Sequence, residues 1–372
     1  MKIAIITSRY PSKGNPYNHM FVHMRSKEFI KQGEQAEVFV PSIEISDYIF
    51  EGVKVRLMPS KEITSYLKGY DILYLHLLHL YPLMKYDGWP IYKAIMKNKY
   101  PFAMYVHGSE ATYFKNRYFG NTFKLKDLLS LLRKDFYHMP RLKKFLQEIA
   151  GKEGLIITPS DWMKDQIKMT FNIDNVYAVP NGIDVDLFSF KSIESKGRII
   201  AVRPLGDKVY DIECTIEVLS FLPEQYTLNI YGKGQYKEDY EKLILSKGLS
   251  ERIKIIDNFI DRNKMQKLFH KYDIFISTTK LDTQGITMLE AMSSGLLVAA
   301  INNSSKEEFI SDMETGILAN RPKELAEKIL KVTSSKELFE RITKAGRGSM
   351  EEIDLKLTCK KELRILKEIA SR

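Results

Sequence analysis

Cysteine is nearly absent from this 372-residue chain. Cys214 and Cys359 stand far apart, match no metal-ligand spacing, and read as ordinary free thiols rather than a disulfide framework. Long apolar runs are missing too. Ile72–Met84 comes nearest, but it is short of the ~20 apolar residues that span a bilayer and carries His76 and His79. The first residues, MKIAIITSRYP, hold one Lys and a brief apolar run. They read as a buried first strand and not a secretory leader, which leaves the chain in the cytoplasm. Neither G-x-G-x-x-G nor the Walker pattern occurs, which argues against a nicotinamide dehydrogenase and a P-loop NTPase. No metal-binding Asp-x-Asp stands out either. Asp184-Val185-Asp186 has the letters, but it lies in a linker and reads as a solvated turn.

What the chain does have is an ordinary globular composition, 44% apolar and 28% charged, with 19 Phe and 21 Tyr to build a core. Its length suits two domains. The net charge is +10, and up to Phe190 there are 26 Lys and Arg against 19 Asp and Glu. After Phe190 the figures are 31 against 28, so the excess sits in the first half. Such a charge can face phosphates, an anionic membrane or nucleic acid, and does not choose among them.

Short β-branched and aromatic runs alternate with amphipathic stretches throughout. Strands are predicted at Lys2–Thr7, Ala36–Val40, Val53–Leu57, Asp71–His76, Phe102–His107, Leu155–Pro159 and Val176–Val179. In the second half they are predicted at Arg198–Arg203, Thr227–Tyr231, Ile253–Ile256, Asp273–Ser277 and Leu296–Ile301, again with helical patterns between. Near-continuous apolar strands alternating with helices imply α/β architecture with parallel sheets covered on both faces. A break at Pro180-Asn181-Gly182-Ile183-Asp184 and the polar stretch Phe190–Gly197 suggest a second domain opening with its own first strand. The expected organisation is two Rossmann-like doubly wound domains, 1–187 and 188–354, presenting strand carboxyl ends to a central cleft.

The most informative text is Leu281-Asp282-Thr283-Gln284-Gly285-Ile286-Thr287-Met288-Leu289-Glu290-Ala291-Met292-Ser293-Ser294-Gly295. A strand ends at Ser277, a loop follows, and a helix begins near Gly285–Thr287. Free N–H groups at a Gly-led helix start form a phosphate-binding arrangement. Asp282 and Glu290 bracket it, placed to accept hydrogen bonds from ligand hydroxyls. The blander alternative makes Asp282 a solvated loop acid and Glu290 a surface residue; the small, apolar Ala-Met-Ser-Ser-Gly favours close packing instead. Tyr231-Gly232-Lys233-Gly234 follows a strand and reads equally well as a tight turn or a ligand contact.

An acid, seven residues, then Glu-Ala-Met-x-x-Gly resembles the signature of family 4 retaining glycosyltransferases of the GT-B fold (glycosyltransferase group 1). Here Asp282 stands where the family usually has Glu, and Thr283-Gln284-Gly285 where it has Gly-Phe-Gly. Val179-Pro180-Asn181-Gly182-Ile183-Asp184 followed by Phe188 resembles the family's inter-domain segment. Arg203 and Lys208 match its diphosphate-holding Arg and Lys, with Val209 in place of a usual Gly. Gly232 and Gly234 match its Val-Gly-x-Gly turn, His107-Gly108 its reaction-centre His, and Gly14 its first glycine-bearing loop. Glu308 aligns with a Pro-Glu-Ile text, and Asn302-Asn303-Ser304-Ser305 replaces a Gly-Gly pair. The match is most specific over residues 176–320.

The resemblance implies a catalytic set of His107, Asp282, Arg203 and Lys208. It implies donor contacts at Gly14, Gly232, Gly234, Gly285, Ile286, Thr287 and Glu290, the last to ribose hydroxyls. It also implies retention of configuration, no cofactor or metal, and a last helix within 355–372 that packs back on the first domain. In physical terms, the Arg203 fork, the Lys208 point charge and a helix start would together stabilise a departing diphosphate. The expected partners are a nucleotide-sugar donor, UDP before GDP, and a cell-envelope glycan or lipid-linked acceptor.

Two further features bear on function. His19 and His23 lie one turn apart on the first helix. That spacing suits a metal, but without a third ligand it reads as a helix face near the acceptor loop. Glu110, three residues after His107, is a candidate contact to acceptor or donor. Residues 124–148 interleave Lys124, Lys126, Arg133, Lys134, Arg141, Lys143 and Lys144 with Leu and Phe, a basic amphipathic pattern broken at Pro140. Such a pattern suits peripheral contact with the inner face of the cell membrane. Three rivals stay open: a GT-B-like nucleotide-sugar epimerase, a catalytically silent relative and a nucleic-acid binder. The last ranks low because the basic stretch is rich in leucine, not in stacking aromatics.

Overall fold

The structure is a computed structural model that describes residues 1–16, 18–81, 84–120, 123, 125–149, 154–258 and 260–372. The chain divides into two compact units. The first comprises Met1–Arg117, Thr122–Gly182 and Leu355–Arg372; the second comprises Tyr118–Asn121 and Ile183–Asp354. The division falls at Gly182–Ile183 because Ile183, Val185 and Phe188 are buried in the second unit's own core.

In the first unit the strands are β1 (Lys2–Thr7), β2 (Gln35–Pro41), β3 (Ser46–Phe50), β4 (Val53–Met58), β5 (Ile72–His76), β6 (Phe102–Tyr105), β7 (Gly154–Thr158) and β8 (Val176–Ala178). They form one sheet in the order β3-β4-β2-β1-β5-β6-β7-β8. Every pairing is parallel except β3 with β4, an antiparallel edge hairpin. That hairpin corrects the expectation of purely parallel sheets. It escapes periodicity because Ser46, Asp47 and Ile49 are solvent-exposed and the strand needs only one covered face.

The helices of this unit are α1 (Met20–Lys31), α2 (Ser60–Tyr66), α3 (Trp89–Asn98), α4 (Leu125–Leu131), α5 (Met139–Ile149) and α6 (Asp161–Phe171). β1 shows why the sheet is buried on both faces. Its Ala4 and Ile6 pack with Ile63, Ile91 and Ile95, whereas Ile3 and Ile5 pack on the other side with Val22 and Phe29. α4 does not end at Pro140. It passes into a π-helical stretch at Leu132–His138 and on into α5, so the expected break is absent. Pro140 lies just past the π-helical stretch inside the continuous helix, where its ring removes one backbone donor.

The second unit holds β9 (Arg198–Val202), β10 (Thr227–Tyr231), β11 (Ile253–Ile256), β12 (Ile274–Ser277), β13 (Leu297–Ile301) and β14 (Ile317–Ala319), in the all-parallel order β11-β10-β9-β12-β13-β14. Its helices are α7 (Ile212–Ser220), α8 (Lys237–Ser246), α9 (Arg262–Phe269), α10 (Ile286–Ser293), α11 (Pro322–Thr333) and α12 (Lys336–Glu352). Ile199 and Ala201 face one core with Ile216 and Leu325, and Ile200 faces the other with Met288 and Leu289. The order of strands reverses between β9 and β12, and ligands of doubly wound sheets bind at such switch points.

The last helix, α13 (Leu355–Ala370), belongs to the first unit, where Leu363, Leu366 and Ile369 join the core of Ile3, Ile5 and Phe29. Glu362 on α13 forms an ion pair with Arg25, Oε1 lying 2.6 Å from Nε, and accepts from the Tyr74 hydroxyl. Both Arg25 and Glu362 are fully buried, so each charge depends on the other. Among the described residues, no helix is long and apolar enough to cross a membrane.

Candidate functional site

In the second unit, β9 ends at Val202 and Arg203 follows at the sheet's carboxyl edge. The Arg203 guanidinium is aimed by neighbouring strand ends: Nε donates to Thr279 Oγ1 at 3.2 Å and NH2 to Ser277 Oγ at 3.1 Å. NH2 also lies 3.5 Å from Asp282 Oδ2, and both side chains are largely enclosed. Two of the residues singled out in the sequence are thus brought together. The Asp282 loop is tied down by its own N–H to Ser304 Oγ at 3.3 Å and by Ser305 Oγ donating to Asp282 O at 3.0 Å.

Gly285 starts α10 with φ 75° and ψ 49°. A Cβ there would be strained by the backbone and would sit 3.2 Å from Asp282 Oδ2, so glycine keeps the helix start close to the carboxylate. Ile286 and Thr287 form the first turn, where N–H groups have no intrahelical acceptor. Glu290, further along α10, is buried and ion-paired with Arg262 NH1. Burial pushes its carboxyl pKa up while Arg262 pulls it down. Arg262 in turn lies over the Phe188 ring, 5.1 Å from its centroid.

Lys208 lies in a short turn after β9. Its ammonium pairs with Glu213 and sits 4.4 and 4.7 Å above the rings of Tyr236 and Tyr240, partners that Arg203 does not share. Gly232 and Gly234 are dictated by the backbone. A Cβ on Gly232 would lie 1.9 Å from Arg203 O, and one on Gly234 would lie 2.1 Å from Gly206 N. The two loops interlock through Arg203 N–H to Tyr231 O (3.0 Å), Leu205 N–H to Lys233 O (2.8 Å) and Tyr236 N–H to Leu205 O (3.1 Å). Asp184 accepts from the Leu187 N–H at 2.9 Å, a turn-capping role.

Sequence reasoning missed Lys306. It is fully buried, and Nζ donates to Thr279 O (2.7 Å), Ile301 O (2.9 Å) and Asn303 Oδ1 (3.1 Å). It therefore bridges the loops after β12 and β13 beside Arg203 and Asp282. Burial lowers its pKa to about 8, against the pull of Asp282. Its position one residue past Ser305 was the available signal, within the text that replaces the glycine pair. Arg262 also went unnoticed, because in a helix that also carries Lys264 and Lys267 nothing marks one cation as reaching another helix.

In the first unit, His107 follows β6. Its Nε2 lies 3.1 Å from Nδ1 of His76, the last residue of β5. Its ring packs against Phe21 and Tyr105, with centroids 4.4 and 4.5 Å away. Burial holds both imidazoles well below the ordinary histidine range, helped by Arg25 and, for His107, first by His76. Buried Glu110 caps this loop, accepting from the N–H of His107 (2.5 Å) and Gly108 (3.0 Å). Its own carbonyl accepts from Lys134 Nζ (2.6 Å) and meets His138 Nε2 (2.7 Å).

His19 and His23 do not converge. His19 Nδ1 meets Thr7 Oγ1 at 3.0 Å, and His23 meets the Tyr10 hydroxyl at 2.9 Å and Glu51 at 3.4 Å. Among the described residues, no group of three His, Cys, Asp or Glu could hold a metal ion. Gly14 lies exposed in a turn closed by Ser12 and Asn15, with open space where a Cβ would project.

The basic segment separates into two parts. Leu142, Phe145 and Leu146 are buried core, whereas Leu125, Leu128, Leu129, Leu132 and Phe136 are exposed. Lys124 lies outside the described residues.

The chain is similar to several known proteins. The chain is 24% identical over 192 residues to an alpha-monoglucosyldiacylglycerol synthase of Acholeplasma laidlawii, covering 52% of this chain and 47% of that protein. It is 25% identical over 201 residues to a poly(ribitol-phosphate) alpha-N-acetylglucosaminyltransferase of Staphylococcus aureus, covering 52% and 39%. The chain thus spans less than half the length of these curated relatives. Among solved structures, HepE of Anabaena in complex with UDP matches with a TM-score of 0.70 at 14% identity, over 99% of both chains. Two parallel-sheet α/β units and such structural neighbours make the fold GT-B. Residues 186–349 match the model of the family described as glycosyl transferases group 1, and the chain carries a domain of that family on a GT-B fold.

Proposed function

We propose that the chain transfers a hexose or N-acetylhexosamine from a nucleotide sugar, UDP favoured over GDP, to a cell-envelope glycan or lipid-linked acceptor. The observation that carries this reading is the Arg203–Asp282 pair at the switch point of a group 1 domain, beside the glycine-led start of α10. The relatives' names point the same way, to a diacylglycerol glycolipid and a ribitol-phosphate polymer.

In this reading Arg203 and the first N–H groups of α10 bind the diphosphate, with Lys208 adding positive charge nearby. Asp282 holds hydroxyls of the donor sugar. Glu290 turns one carboxylate oxygen to ribose while Arg262 keeps the other. Glycine at 14 leaves its exposed loop open to the donor, and His107 meets the transferred sugar. The bond from C1 of the sugar to the β-phosphate oxygen breaks, and the acceptor oxygen bonds to C1 on the same face. The acceptor's proton passes to the departing phosphate. The protein supplies the positive charge that the leaving group needs, so we read transfer as metal-independent; retention is what the family resemblance implies.

A thermal-shift panel with UDP, GDP, ADP and their sugar conjugates, with and without EDTA, tests this. Stabilisation by a uridine nucleotide in EDTA is expected, about 2.7 kcal/mol at 100 times the dissociation constant. No shift with any nucleotide would overturn the donor-site reading.

A further inference from the structure

Leu125, Leu128, Leu129, Leu132 and Phe136 recur at spacings of three, one, three and four, which is one face of a helix. In most helices such a stripe is buried against the fold. Here it is the outer face: Leu125 is 74% exposed, Leu129 61% and Phe136 69%. The apolar face of α5, by contrast, packs inward through Met139, Leu142, Phe145 and Leu146. The change of direction falls within the π-helical stretch Leu132–His138, whose extra residue per turn rotates the side-chain register.

The inner side of the same segment is occupied by the His107 loop. Lys134 and His138 hold Glu110 O, and Asp135 accepts the N–H of Phe114 at 2.6 Å and of Lys115 at 3.4 Å. This assigns Asp135, one of the segment's acids, to the inner side. Lys126 and Arg133 are exposed beside the stripe, and Lys143 and Lys144 are exposed further on. A large exposed apolar stripe edged by cations is the surface of an interfacial helix.

We infer that the outer face of α4 and the following π-helical stretch docks on an anionic lipid bilayer, with the His107–Lys115 loop held on its inner side. The choice of occupant rests on charge complementarity: exposed cations flank the stripe, in the half of the chain with 26 basic against 19 acidic residues. This deepens the proposed function, since it rests on an acceptor that resides in or at a membrane.

The experiment is vesicle co-sedimentation with the full chain, using phosphatidylcholine alone and phosphatidylcholine mixed with phosphatidylglycerol. The wild type is expected to pellet with the anionic vesicles, weakly with the neutral ones, and less at high salt. Leu128→Ser/Leu129→Ser/Phe136→Ser should reduce pelleting about tenfold or more. Lys126→Glu/Arg133→Glu should abolish the preference for anionic lipid. These residues are exposed, so each variant should keep the wild-type circular dichroism and nucleotide thermal shift. That shift is read separately, so failure of the donor-site reading and failure of docking are distinguishable. Equal pelleting of wild type and triple variant overturns the proposal. So does a wild type that pairs with itself in solution, ignores vesicles, and becomes monomeric on the triple substitution.

Discussion

His76 Nδ1 and His107 Nε2 lie 3.1 Å apart at the ends of two adjacent strands, and both rings are held neutral by burial. Two neutral imidazoles can share one hydrogen bond only if one donates and the other accepts. His76 Nε2 is buried without a partner, so a proton there would be an orphaned donor. The stable arrangement therefore has His76 Nδ1–H donating, which leaves His107 protonated on Nδ1.

That arrangement fixes a sign for acid sensitivity. Both folded-state pKa values lie below the unfolded value of about 6.5. The unfolded chain therefore binds protons that the native chain refuses, and stability falls as pH drops below that value. Urea unfolding at pH 5 and 7 should show a smaller acid loss for His76→Phe than for wild type. In ¹⁵N-labelled protein the His107 ring should show the Nδ1–H tautomer, which His76→Phe releases.

Arg203 is aimed by Ser277 and Thr279 at the carboxyl edge of the sheet, so its loss should affect binding more than folding. Arg203→Ala is expected to lower transfer by about 100-fold or more and to remove the nucleotide thermal shift. Its melting temperature without ligand should stay near that of wild type. Retained turnover would remove Arg203 from the diphosphate site.

Lys306 gives a second sign, on the alkaline side. Its folded pKa of about 8 lies below the ordinary lysine value of 10.5. Between those limits the unfolded state binds the extra proton, so this residue's contribution makes stability rise with pH across the window. Below pH 8 burial of the charge is a cost. Lys306→Met should flatten that rise in denaturant titrations while disordering the loops after β12 and β13.

The glycines divide cleanly. Gly234→Ala meets backbone atoms at 2.1 Å and should cost about 1–3 kcal/mol or more. Gly14→Ala meets nothing within 4 Å and should change stability by no more than about 0.5 kcal/mol. Chemical denaturation of the two variants checks this, and lost nucleotide binding in a stable Gly14→Ala would assign Gly14 to the ligand.

Glu362→Ala leaves the buried Arg25 charge unpaired and should destabilise the first unit by about 3–5 kcal/mol. Arg25→Met/Glu362→Leu, which removes both charges, should recover much of that loss in the same measurement.

Most strand positions were legible because buried parallel strands are continuous apolar runs, as at Ile3–Ile6 and Ile274–Ile276. β3 was hidden because an edge strand with exposed Asp47 and Ile49 does not look buried, and β14 because three residues carry no period. At the site, Asp282, Gly285 and Glu290 were readable because a loop-to-helix transition fixes their spacing in sequence. Lys306, Arg262 and His76 were not, since each acts through a partner on another strand, loop or helix.

The placement of α13 has a consequence for how the polypeptide is made. Its Leu363, Leu366 and Ile369 complete the core around Ile3 and Ile5, and Glu362 neutralises Arg25. A ribosome delivers those residues more than 350 positions after the strand they cover. The contiguous stretch Ile183–Asp354 is already out by then, with nearly all of its own unit present. Synthesis from the amino end therefore finishes the second unit first and leaves the first with a bare apolar face until the helix arrives, an inversion of the usual order of co-translational folding.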